Sequence, residues 1–192
     1  MPIRNTNETY GSLTVLIHWA VALAAFGLFG LGLWMVDLNY YSTWYHKAPS
    51  IHKSLGVLLA LVMVFRFFWR WFNLVPKPEP GQKTWEIKAA EAVHRLLYLL
   101  IFAVLVSGYL ISTADGKPVD VFGLFSVPAL LSGLPRQEDV AGQVHLVLAV
   151  SLVGLAVFHA AAAIKHHVVD KDATLKRMLG TKKSGRSPHQ SL

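Results

Sequence analysis

The chain of 192 residues is 54% hydrophobic, has a mean hydropathy of +0.43 and carries a formal net charge of +7. That balance fits a small integral membrane protein and excludes an ordinary water-soluble domain. Cysteine is absent, which excludes a haem attached through C-x-x-C-H, a thiolate-ligated haem and cysteine-held iron–sulfur clusters.

Four apolar segments predict membrane spans, at 13–36, 51–71, 94–113 and 140–164, each close to the ~20 residues that cross a bilayer as a helix. The first is too long for a signal-peptide core and is followed by no small-residue cleavage site. Its Gly27, Gly30 and Gly32 allow a neighbouring helix or a planar group to approach the backbone. The connection 37–49 carries Tyr40, Tyr41, Trp44 and Tyr45, a composition typical of the membrane interface. Pro49 suits the first turn of the second span. The second span ends in Arg66, Trp69, Arg70 and Trp71, and VPKPEPG at 75–81 predicts an extended turn, because proline cannot continue a helix. In the loop 114–138, a turn at Asp115–Gly116 precedes an apolar stretch, 119–131, expected to lie along the membrane surface. After Lys165 the chain turns polar, and 181–192 reads as a disordered basic tail behind one transmembrane domain of residues 1–180. The fold class is therefore an all-α integral membrane protein, a four-transmembrane-helix bundle.

An even number of spans puts both termini on one side. With that side cytoplasmic, 14 of the 18 basic residues are inside, and only Lys47, Lys53, Lys117 and Arg136 are outside. The positive-inside rule selects this orientation, with both termini cytoplasmic. The positive charge is then chiefly a topology signal, with some attraction to anionic lipid. Nucleic-acid binding is a poor reading, since no compact basic domain exists to do it.

The most informative residues are His145 and His159, the only ionisable side chains within 140–164. Fourteen steps of a helix come within about 40° of whole turns and rise roughly 21 Å, so both rings share one face at different depths. Ionisable groups at such depth are costly and usually functional. By depth, His18 in span one matches His159 towards the inner side, and His52 at the start of span two matches His145 towards the outer side. Two imidazoles from different helices are the ligand set of a low-spin b-type haem, and the arrangement supplies it twice. His94, at the inner end of span three, competes at the level of His18 and His159, and spacing alone does not decide among the three. Met35 and Met63 read as packing residues. Arg66 lies 14 residues after His52, placed either to pair with a haem propionate or to snorkel to the interface. No Asp or Glu lies in a span core, which argues against a proton-coupled or cation transporter.

Several stretches resemble the bacterial cytochrome b561 family: IHW at 17–19, HKSLGVLLALVMVFRFFWR at 52–70, HRLLYLL at 94–100, SGYLISTADGKPVDVFGLFSVP at 107–128 and FHAAAAIKHHVVDKDATLKRML at 158–179. The resemblance covers nearly the whole chain. It implies a four-helix inner-membrane protein with two non-covalent b haems that exchanges electrons with ubiquinone or another quinone; one activity in the family is superoxide oxidase. By motif, it implies His18 and His159 as ligands of the inner haem iron, His52 and His145 of the outer, and His94 as a non-ligand. It also implies an inner quinone site at Lys77 and His166, which His94 borders. A cation or imidazole there hydrogen-bonds a quinone carbonyl or delivers a proton.

The expected function is electron transfer across the inner membrane between a periplasmic donor and the quinone pool. The donor site is expected near Lys53 and His46. Superoxide as donor favours a cationic outer face, yet Lys47, Lys53, Lys117 and Arg136 are outnumbered by Asp37, Asp115, Asp120, Glu138 and Asp139. Two rival readings are a haem-bearing membrane anchor for a partner dehydrogenase and a histidine-based soft-metal transporter.

Overall fold

The computed structural model of the protein describes residues 1–79 and 81–181. Apart from Thr181, the expected tail falls outside the described residues. Four long helices form the body: α1 (Ser12–Val36), α2 (Lys47–Trp71), α3 (Thr84–Ser112) and α4 (Gln137–Val168). A short hairpin, β1 (Val119–Val121) and β2 (Phe125–Val127), lies between α3 and α4, and α5 (Thr174–Met178) follows. All four long helices are long and apolar enough to cross a membrane. The shortest, at 25 residues, spans about 37 Å against a hydrocarbon core of roughly 30 Å.

Helix α3 begins ten residues before the expected span. Its first turns carry Glu86, Lys88 and Glu91, which hide it from a hydropathy reading but are good helix formers. The start is held by a capping box in which the Lys83 N–H donates to Glu86 Oε2 at 3.1 Å. Helix α4 also starts early, behind Arg136 in the left-handed conformation (φ 55). Glu138 and Asp139 occupy its first turn, where the helix dipole favours negative charge. The buried Gln137 ties this start to α3, its Nε2 donating to the Leu110 carbonyl at 2.9 Å.

The bundle closes around Ile17, Val21, Leu59, Met63, Ile101 and Leu152, with Met63 only 2% exposed. Most other large apolar side chains point outward, as lipid-facing residues do.

One end of the bundle gathers the N-terminal segment, α5 and the α2–α3 turn. The Ser12 N–H donates to the Pro2 carbonyl at 2.9 Å, folding the N-terminal segment back. Gly11 permits this, since a Cβ there would run into the Ile3 carbonyl and lie 2.6 Å from the Arg4 carbonyl carbon. Asn5 Oδ1 accepts from the Gly11 N–H (2.8 Å) and the Thr14 hydroxyl (2.7 Å), while its Nδ2 donates to Leu74 O (2.6 Å).

The opposite, loop end carries the hairpin, where the sequence predicted a segment lying along the membrane surface. Antiparallel pairing of Val119 with Val127 and Val121 with Phe125 buries Val119 and Val121 against α2. Phe122 (φ 52) and Gly123 (φ 71) give the turn the positive-φ pair that matches strand twist. Ser54, fully buried on α2, accepts from the Phe122 N–H at 3.2 Å and donates to the Asp120 carbonyl at 3.4 Å. Ser54→Ala removes the side-chain partner of the Phe122 N–H and the Asp120 carbonyl, at a cost of about 1 kcal/mol. Thermal unfolding in detergent should show a lower midpoint, with faster proteolysis at the hairpin tip.

Candidate functional site

Near the loop end, the rings of His52 on α2 and His145 on α4 lie 6.2 Å apart between centroids. Near the terminal end, His18 on α1 and His159 on α4 lie 6.4 Å apart. Two imidazoles that share one metal atom at bonds of about 2 Å each have ring centres roughly 6 Å apart. Both pairs have that spacing. His94 on α3 approaches His159 more closely, at 5.1 Å, edge-on, which is packing distance.

The loop-end pair opens into a cavity of about 1210 Å³ between the four helices, lined by Gly32, His52, Gly56, Gly108 and His145 among others. Ligand pockets are commonly about 300–1,000 Å³, so this one has room for a macrocycle. Two of its glycines sit directly against the rings. A Cβ at Gly108 would lie 3.1 Å from His145 Cε1, and one at Gly32 would lie 3.3 Å from His52 Cε1. His145 Nδ1 lies 3.0 Å from the Val104 carbonyl and 3.1 Å from Ser107 Oγ. A carbonyl only accepts, so the proton sits on Nδ1 and the Nε2 lone pair is free for a metal. His52 Nδ1 is buried without a hydrogen-bond partner.

Lys53 lines the mouth of this cavity with Asp115, Arg136, Glu138 and Asp139. Lys117 bonds Asp115 at 2.8 Å, and this contact holds the Asp115 carboxyl below its ordinary value. His46 is exposed at the N-cap of α2, its ring edge-on to Tyr45 at 5.0 Å, and is not among the lining residues. The structure thus brings Lys53 but not His46 to the mouth. Met35 lines the same cavity, whereas Met63 belongs to the core.

At the terminal-end pair, Arg66 turns into the bundle instead of snorkelling outward. Its Nε donates to the Tyr98 hydroxyl at 2.9 Å, and Nη2 lies 3.2 Å from His18 Nδ1. Guanidinium only donates, so this contact uses the Nδ1 lone pair of His18, opposite in polarity to the bond made by His145.

In the last turn of α4, His166 Nδ1 lies 2.7 Å from Asp170 Oδ2 and 3.4 Å from Asp172 Oδ2. The Lys165 ammonium bonds Asp170 at 2.7 Å and holds its carboxyl below the usual range. Asp172 is lowered as well; burial opposes its ionisation, but the Thr174 and Gln82 donors outweigh it. Lys77 is exposed on the proline-rich turn, with its backbone tied to Asn7 and Arg177. The sequence reading missed Ser107, Gly108 and the Val104 carbonyl, because contacts across helices to backbone atoms leave no periodic signal. Arg177, in sequence one of the 14 inside basic residues, is buried.

A bundle of membrane-spanning helices with paired intramembrane imidazoles belongs to the class that carries redox metal centres in a bilayer. Residues 9–181 match the prokaryotic cytochrome b561 family, and the chain belongs to that family. It is 52% identical over 184 residues to cytochrome b561 homolog 2 of Escherichia coli (strain K12), covering 96% of this chain and 98% of that protein. It is also similar to the probable superoxide oxidase CybB of Yersinia pestis, at 29% identity over 182 residues, covering 92% of this chain and 99% of that protein. The protein is therefore a multi-pass bacterial membrane cytochrome that transfers electrons by means of haem b.

The glycine contacts supply a test of the loop-end pair. Gly108→Ala is expected to displace the His145 ring by a few tenths of an ångström, lowering haem content and broadening the reduced α-band. Gly27→Ala serves as the control, since a Cβ there meets nothing within 4 Å. Visible spectra of the two purified variants would distinguish them.

Proposed function

We propose that this protein is a di-haem cytochrome b that carries electrons across the bacterial inner membrane, from a donor at the loop end to quinone at the terminal end. The observation that supports this reading is the pair of spacings, 6.2 and 6.4 Å, made by four histidines of which α4 contributes two. In this reading His52 and His145 hold the outer haem, and His18 and His159 the inner. Haem b bound between such pairs takes up and releases single electrons without itself binding a proton.

The protein's part is to orient ligands and control charge. Val104 and Ser107 fix the tautomer and plane of His145, which strengthens it as a donor to metal. The two glycines keep space beside the ring edges. A neutral His18 that coordinates through Nε2 carries its proton on Nδ1, so Arg66 must then release that atom, which frees its guanidinium for a haem carboxylate. At the terminal end, Lys77 and His166 act on quinone: each donates a hydrogen bond to a carbonyl oxygen, and His166 hands on a proton. Asp170 and Asp172 hold carboxylate oxygens 2.7 and 3.4 Å from His166 Nδ1 and so orient its ring. His94 borders this region through its contact with His159.

The loop end is periplasmic in this reading, by the distribution of basic residues. Superoxide is the donor implied by the name of the Yersinia pestis relative, and Lys53 is the mouth cation that would meet it.

The test is haem quantification per chain with oxidised and dithionite-reduced spectra. Wild type should carry two b haems. His52→Ala or His145→Ala should carry one, with the remaining spectrum that of the inner centre; His18→Ala or His159→Ala should do the reverse. One haem per wild-type chain, or equal loss of both from every single variant, would refute two independent sites.

A further inference from the structure

Among the basic residues of the terminal end, Arg177 is buried, only 9% exposed. Its Nη1 donates to the Lys77 main-chain carbonyl at 2.6 Å. Its Nε forms an ion pair with the carboxylate of Glu79, whose side chain is 8% exposed. On the other side, the Lys77 N–H donates to the Asn7 carbonyl at 2.9 Å. The backbone of residue 77 is thus clasped from both sides while its side chain remains exposed. A proline-rich turn has no ladder of its own to hold it. A buried ion pair is a strong clasp, because removing one partner strands the other charge.

Arg177 is also mechanically linked to His166. The Asp172 N–H donates to the His166 carbonyl at 3.1 Å. Gln82, next to the turn, donates to Asp172 Oδ2 and Thr174 Oγ1, both at 3.1 Å. The Trp19 indole donates to the Met178 carbonyl at 2.8 Å. The stretch from His166 to Arg177 is therefore a strut with His166 at one end and the Lys77 carbonyl at the other. Two groups that must meet one small ring at the same time need a fixed span, and a 1 Å error costs about 10²-fold in rate.

We infer that Arg177 is a positioning residue of the quinone site, which sets the place of Lys77 relative to His166 through its bond to the Lys77 carbonyl and its pair with Glu79. The inference rests on the assignment of Lys77 and His166 to quinone. Arginine suits the task because its planar fork serves a carbonyl and a carboxylate together, whereas lysine offers one point charge.

A double-mutant cycle tests it, using intact detergent-purified protein reduced with dithionite and mixed with a short-chain ubiquinone analogue. Re-oxidation is followed through haem absorbance over a range of quinone concentrations. One fully reduced chain supplies two electrons, and the medium two protons, to convert one quinone to quinol. Arg177→Ala should lower kcat/KM by about 10- to 100-fold, with haem content and the reduced spectrum unchanged. Arg177→Lys should recover part of the loss. In a Lys77→Ala background the further effect of Arg177→Ala should shrink to less than about threefold, since a residue that acts through Lys77 has nothing left to position. Should Arg177→Ala fail to accumulate, Arg177→Lys and Glu79→Gln carry the same cycle. Independent, multiplying losses would overturn the inference while leaving the quinone assignment intact. So would a wild-type rate for the Arg177 variants beside a defective Lys77→Ala. Wild-type kinetics in both Lys77→Ala and His166→Ala would instead overturn the quinone assignment, and the positioning role with it.

Discussion

An imidazole inside a helical bundle that faces lipid has to find its partners within the bundle, because hydrocarbon offers none. Helix α4 carries two such rings on one face, and much of the architecture follows from satisfying both. His159 meets His18 at the start of α1, and His145 meets His52 at the start of α2. Those two starts can stand at opposite ends only if α1 and α2 are antiparallel neighbours, which the connection 37–46 allows. Helix α3 contributes neither ring of the two spaced pairs. It supplies what surrounds them: the Val104 carbonyl and Ser107 to His145, Tyr98 to Arg66, and His94 against His159.

The two ends treat their histidines differently. At the loop end the ring plane is fixed by a backbone acceptor, and glycines leave space beside the ring edges. At the terminal end a cation faces Nδ1 instead. Between the two levels lies the small core around Met63, Leu59 and Leu152. A bundle with so few buried apolar residues derives much of its cohesion from what its polar interior binds and from lipid on its outer face. Any group that binds the folded form alone adds stability that grows with the logarithm of its concentration relative to its Kd.

What could be read in the sequence was whatever repeats or is concentrated. Apolar runs gave four helices, and a 14-residue spacing put His145 and His159 on one face. Elements set by single backbone contacts escaped. The early start of α3 lay under Glu86, Lys88 and Glu91, whose charges lower hydropathy without discouraging helix. The 119–131 stretch is apolar enough to read as surface-lying, but Ser54 pairs it into a hairpin, a tertiary effect that local propensity does not contain. Arg177 is the sharpest case. In sequence it is one of many cations at the inner end, and only its burial and its bond to a carbonyl 100 residues away separate it from them.

Charge at the loop end needs the same care. Counted along the sequence, this face is slightly acidic, which weighs against an anionic donor. Three of the acids, however, have local employment: Asp115 holds Lys117, and Glu138 and Asp139 occupy the first turn of α4, where the helix dipole offsets part of their charge. Asp139 also lies 3.8 Å from Arg136. Lys53 lines the mouth and follows His52 directly in the chain. A total over the face therefore misjudges the field that a small anion meets at the mouth, because a narrow opening is governed by the charges that line it and by which of them are already paired.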